Sequence, residues 1–134
     1  MVKIMQTRVI VVDDNIDTLD IFCEYLELKD CQVVGKGYNG LDAVKLYEEH
    51  HPDIALLDVM MPDYDGMYAL EKIKEIDSNA KVIMVTADLT DKTARRCSEL
   101  GASEIIYKPY EIEDVVEVVQ NVMSGKKFVS SFVK

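Results

Sequence analysis

The feature that most constrains this chain is a regular alternation of short, continuous apolar runs with amphipathic stretches. "RVIVVD" (8–13) is a β-branched run, and 16–29 places Leu19, Phe22, Cys23 and Leu26 at helical spacing. "CQVVGKG" (31–37) reads as a weaker strand, and 40–50 carries Leu41, Val44 and Tyr47 on one helical face. The strand at 54–58 is followed by a helix over 66–76, with Met67, Leu70, Ile73 and Lys74 along it. "KVIMVT" (81–86) precedes a helix over 91–100 that Gly101 stops, and "SEIIY" (103–107) precedes a helix over 111–123 that Gly125 stops. That last helix shows Ile112, Val115, Val116, Val119 and Met123 as its apolar side. Apolar runs that do not alternate belong to strands covered on both faces, hence parallel strands with helices on either side. The pattern predicts a doubly wound α/β sandwich of five strand–helix units over residues 1–124. Residues 125–134 stand outside the units as a tail, read as a frayed helix extension, with a partner-binding segment or the start of a linker as the alternatives.

Charge narrows the function. The chain has 15 basic and 25 acidic residues, a formal net charge of −10. Such a field repels a polyanion, so direct nucleic-acid binding is not expected. The three cysteines, Cys23, Cys31 and Cys97, are odd in number and lack CxxC spacing. That argues against a disulfide framework and a zinc site, and for small packing residues in a reducing compartment. Residues 1–7 are too short and polar for a signal peptide, and no apolar run approaches the roughly 18 residues of a membrane span. A cytoplasmic protein with no membrane insertion is the expectation.

In an open parallel sheet, ligands sit beyond the carboxyl ends of the strands, where the winding reverses. The first strand ends in Asp13 and Asp14, the third in Asp58, the fourth in Thr86, and the fifth in Tyr107 followed by Lys108 and Pro109. Two carboxylates about 5 Å apart repel by roughly 3 kcal/mol at an effective dielectric near 20. Three on one rim must hold a proton or recruit a cation. A divalent ion and Lys108 would neutralise them, and Mg²⁺ (or Mn²⁺) accepts oxygen ligands, the Met60 backbone carbonyl among them. A carboxylate can attack phosphorus, so Asp58 is the expected phosphoacceptor, with Lys108 neutralising developing charge and Thr86 donating to a phosphoryl oxygen. Met60 and Met61 are expected to keep the following loop packed.

These residues resemble the response-regulator receiver domain of two-component signalling, over roughly residues 8–124. The motifs are "VVDDN" (11–15), "LLDVMMPDYDG" (56–66), "VTA" (85–87) and "KPY" (108–110). The resemblance implies the flavodoxin-like strand order 2-1-3-4-5 and Mg²⁺ held by Asp13, Asp14, Asp58 and the Met60 carbonyl. It also implies Asp58 as phosphoacceptor, Thr86 and Lys108 as switch residues, and a cis bond before Pro109. A histidine kinase or phosphotransfer protein would be the donor. An output partner would read the face formed by the fourth helix, fifth strand and fifth helix. One position departs: the family often has Tyr or Phe three residues before the lysine, and here Ile105 stands there. The usual aromatic rotation is therefore not expected; Ile105 could repack with a smaller swing.

Plainer roles exist for these residue types. Asp favours helix caps and turns, and Asp14 or Asn15 is expected to cap the first helix. Capping does not, however, require a third acid at the end of the third strand. His50 and His51 close a helix and suit its C-terminal dipole. "KTARRC" (92–97) reads as a solvated helix face, and Tyr107 as a half-exposed strand residue. The expected function is a phosphorylation switch that catalyses its own phosphoryl transfer and slow dephosphorylation. The alternatives are a degenerate receiver that signals by binding alone, or an aspartate-nucleophile phosphatase. The phosphatase needs a second acid two residues after the nucleophile, where Met60 stands. A flavin-binding protein would need a phosphate-cradling first loop, where "DDNID" stands.

Overall fold

A computed structural model of the chain describes residues 6–125, so the expectations for the tail, Gly125 apart, and for residues 1–5 fall outside the described residues. The elements alternate strictly. They are β1 (Thr7–Val12), α1 (Ile16–Glu27), β2 (Cys31–Gly37), α2 (Gly40–His50) and β3 (Ile54–Asp58), then α3 (Gly66–Ile76), β4 (Val82–Thr86), α4 (Asp91–Glu99), β5 (Glu104–Tyr107) and α5 (Ile112–Met123). The five strands form one parallel sheet in the order β2-β1-β3-β4-β5. No helix among the described residues is long and apolar enough to cross a membrane.

Period-2 geometry splits each strand between two cores. Val9, Val11, Leu56 and Ile83 point to one side, where Leu19, Phe22 and Leu26 of α1 and Val115, Val118 and Val119 of α5 cover them. Ile10, Val12, Leu57 and Met84 point to the other, under Ala43 and Tyr47 of α2, Leu70 and Ile73 of α3, and Cys97 of α4. β3 and β4 are buried at every position, which is why their sequences show no alternation.

Two helical faces differ from expectation. α5 buries Val115, Val118, Val119 and Val122, whereas Val116 is half-buried and Met123 is 38% exposed. With valine at five of its twelve positions, several stripes satisfy helical spacing, and the tighter 3–4–7 set starting at Val115 is the one that meets the sheet. α2 buries Gly40, Ala43 and Tyr47 in place of Leu41 and Val44, which are half-buried. The small residues allow close approach: a side chain on Gly40 would collide with the Asp65 carbonyl, and the Gly40 N–H donates to the Tyr64 carbonyl. The tie joins the start of α2 to the loop after β3.

Candidate phosphoacceptor site

At the carboxyl rim, local hydrogen bonds decide which acids cap helices and which stay available. Asn15 is the cap of α1, its side chain accepting from the Thr18 N–H at 3.0 Å. Asp13 accepts from the Asn15 N–H at 2.9 Å through one oxygen, and Asp14 is exposed and makes no capping bond to α1. Asp58 is held by the sheet itself, paired with Val85 of β4, while the Val59 N–H donates to the Val85 carbonyl at 2.9 Å. Gly66 then packs against that strand end: its N–H donates to the Val59 carbonyl at 2.9 Å, and a side chain there would strike the Asp58 carbonyl. The turn between uses Asp63 at φ 66° and Asp65 as cap of α3.

The structure brings the expected acids together. Asp13, Asp14 and Asp58 offer carboxylate oxygens that all lie within 4.8 Å of one another. Lys108 reaches in from the end of β5, its Nζ 3.2 Å from Asp58 Oδ2 and 3.7 Å from Asp13 Oδ2. Asp58 is 7% exposed. Burial pushes its pKa up, Lys108 opposes that rise, and Asp13 adds to it. Three clustered carboxylates answered by one ammonium leave the rim short of positive charge. Their hard oxygens fit a divalent cation such as Mg²⁺.

Around this centre, Thr86 is fully buried at the end of β4, and its Oγ1 accepts from the Asp88 N–H at 3.0 Å. The Lys108 N–H donates to the Thr86 carbonyl at 2.8 Å, tying the lysine strand to the threonine strand. The Lys108–Pro109 peptide bond is cis. Met60 departs from expectation. Met61 is buried, but Met60 is 65% exposed, so only one of the two methionines packs the loop. Burial alternates along this stretch, with Val59 and Met61 facing inward and Met60 between them facing out. The Met60 N–H instead points back at Asp58 Oδ1, at 3.4 Å.

Ile105 is fully buried in the core beneath α2, α3 and α4, paired with Met84, and Tyr107 packs half-buried beside that core. The histidines lie away from the rim: His51 caps α2 in the left-handed region, and its carbonyl accepts from the Arg8 guanidinium at 3.1 Å. Lys92, Arg95 and Arg96 are exposed, and Cys97 is buried. Burial raises the thiols of Cys23 and Cys97 to about 11, consistent with packing rather than reactivity.

Tyr110 carries no role in the sequence reading, yet it lines the recess beneath Asp13 and Asp58 and stacks edge-on against Phe22 at 5.4 Å. Burial, then Asp13 and Asp58, push its hydroxyl up to about 12. The aromatic directly after Lys108-Pro109 was the signal that could have found it.

Comparison with known proteins agrees with this fold. The family model for the response regulator receiver domain matches residues 9–120. The chemotaxis protein CheY of Bacillus subtilis (strain 168) is 32% identical over 120 residues, covering 90% of this chain and all of that protein. CheY of Listeria monocytogenes is 35% identical over 113 residues, covering 84% of this chain and 95% of that one. Among solved structures, the CheX–CheY–BeF3–Mg²⁺ complex from Borrelia burgdorferi contains a chain that is 31% identical, with a TM-score of 0.82 over 87% of this chain and 88% of that one. A CheY-like receiver domain protein from Methanospirillum hungatei is 26% identical, with a TM-score of 0.83 over 89% of this chain and 94% of that one. By its motifs, its fold and its rim of acids, the chain belongs to the response regulator receiver domain family of two-component signalling.

Proposed function

We propose that the chain is a phosphorylation-dependent switch that takes a phosphoryl group onto Asp58 from a phosphohistidine on a histidine kinase or phosphotransfer protein. The observation that carries the reading is the placement of Asp58, nearly buried yet opening onto Asp13, Asp14 and Lys108. An Asp58 carboxylate oxygen attacks phosphorus in line, the P–N bond breaks, and its electron pair leaves with the donor imidazole. Asp13, Asp14, Asp58 and the Met60 carbonyl would hold Mg²⁺ (or Mn²⁺), which supplies positive charge against the phosphoryl oxygens. Lys108 neutralises a further oxygen, and the Thr86 hydroxyl donates to another. Two residues after Asp58 stands Met60, which has no proton to move, so the acyl phosphate persists beyond the lifetime of a hydrolase intermediate.

The added charge biases an equilibrium between two arrangements, read by a partner on the α4–β5–α5 face. Lys92, Arg95 and Arg96 lie exposed on α4. Residues 1–124 form the switch in this reading, and 125–134 is a tail beyond it. Buried free thiols suit action in a reducing cytoplasm. The test is transfer from a radiolabelled phosphohistidine protein. Label moving to the wild type but not to an Asp58→Asn variant supports the reading. Equal labelling of both, or none of either, contradicts it.

A further inference from the structure

The loop between β4 and α4 holds hydrogen bonds that the phosphoacceptor chemistry itself does not use. They begin at Thr86, whose Oγ1 accepts from the Asp88 backbone N–H at 3.0 Å. The Asp88 carboxylate engages α4 through both of its oxygens. Oδ1 accepts from the Thr90 N–H at 2.9 Å, and Oδ2 accepts from the Thr93 hydroxyl at 2.6 Å. Thr90 is the cap of α4, and its hydroxyl accepts from the Thr93 N–H at 3.4 Å. The Thr93 bond, then those from Thr90, hold the Asp88 carboxyl below its ordinary range. Asp88 is thus ionised at neutral pH, and its bond to Thr93 is charge-assisted.

Thr86 is fully buried, so its hydroxyl exchanges partners only within the protein. Turning Oγ1 toward a phosphoryl group on Asp58 carries the acceptor away from the Asp88 N–H. The loop must follow it or lose that bond. With both Asp88 oxygens bonded to Thr90 and Thr93, a loop that follows takes the first turn of α4 with it. The side chain of Ile105, buried and without a polar atom, offers the loop no hydrogen bond.

We propose that Asp88 is a positioning residue that ties the state of the Thr86 hydroxyl to the first turn of α4, through its N–H on one side and its carboxylate on the other. For its trigger the inference rests on the receiver reading, but the tie itself is present without any phosphoryl group.

The test is residue-resolved amide hydrogen exchange on the full chain, in two arms. Without phosphodonor, Thr86→Val removes the acceptor and keeps the shape. Exchange at Asp88, Thr90 and Thr93 is expected to quicken about tenfold. In an Asp88→Ala background, Thr90 and Thr93 exchange fast already, and adding Thr86→Val changes them by less than about twofold. Thr93→Ala removes only the 2.6 Å bond from a half-buried helix position. In that variant Thr86→Val should still quicken Asp88 and Thr90, which the Oδ1 bond keeps tied, while position 93 responds less than in the wild type. An equal response of Thr90 and Thr93 to Thr86→Val, with and without Asp88, would overturn the proposal. In the second arm, acetyl phosphate and Mg²⁺ are added. Asp88→Ala is expected to take up the phosphoryl group as the wild type does, while its α4 amides no longer respond. A wild-type response of α4 in that variant also overturns the tie. If the wild type takes up no phosphoryl group, the receiver reading falls, and the first arm still decides the tie.

Discussion

Burial raises the pKa of Asp58 while Lys108 at 3.2 Å opposes that rise, so the charge of the acceptor depends on the cations around it. Asp58→Asn removes one of three like charges and keeps the shape. In EDTA at neutral pH the variant should therefore be more stable than the wild type, by about 1 kcal/mol. Mg²⁺ should reverse the order, since a ligand at ten times its Kd adds about 1.4 kcal/mol to the form that binds it. Urea unfolding of both proteins with EDTA and with Mg²⁺ checks this. An Asn variant less stable than wild type in EDTA would contradict it. A second carboxylate gives a pH signature away from the rim. The Asn79 N–H, then the Tyr47 hydroxyl, lower the pKa of Asp77. A lowered folded pKa contributes stability that is present above the unfolded value and lost as pH falls through the folded one. Stability of the wild type should thus fall below the ordinary value of 3.8, and Asp77→Asn should flatten that limb. Denaturation midpoints measured across the acid range decide it.

At the scale of elements, the sequence identified every strand and helix but not every buried face. β3 and β4 were legible because a strand covered on both sides has no polar position to confuse the reading. α5 was not, because valine recurs too often for spacing alone to choose a stripe, and only the sheet selects Val118 and Val122 over Val116 and Met123. Deleting methyls tests the choice: Val118→Ala should cost about 2 kcal/mol, and Val116→Ala less than half of that. Thermal or urea unfolding that ranks them the other way would restore the original face. The loop after β3 is a second case. Gly66 stands where a side chain would strike the Asp58 carbonyl, so Gly66→Ala should cost about 1–3 kcal/mol and displace the acceptor strand end. The rim acids were legible for a different reason. Asp13, Asp14, Asp58, Thr86 and Lys108 each sit at a strand end, and a parallel sheet brings its strand ends to one edge. Tyr110 and Asp88 were not, because one lies beneath the rim and the other joins a backbone N–H to Thr86 with a carboxylate that reaches only the first turn of α4, a pairing no sequence pattern records.

Over the whole molecule, two cores fix the sheet, and the sheet carries the acids to a single edge. The chain carries a net charge of −10, and the three acids gathered at that edge suit a cation. In the proposed function this edge serves to place a phosphoryl group on Asp58. Intact mass after incubation with acetyl phosphate tests it most directly, run on wild type with Mg²⁺, on wild type with EDTA, and on Asp58→Asn with Mg²⁺. One added phosphoryl group is expected in the first sample and none in the other two. A folded wild type that gains nothing, or an Asp58→Asn variant that gains as much, would contradict it.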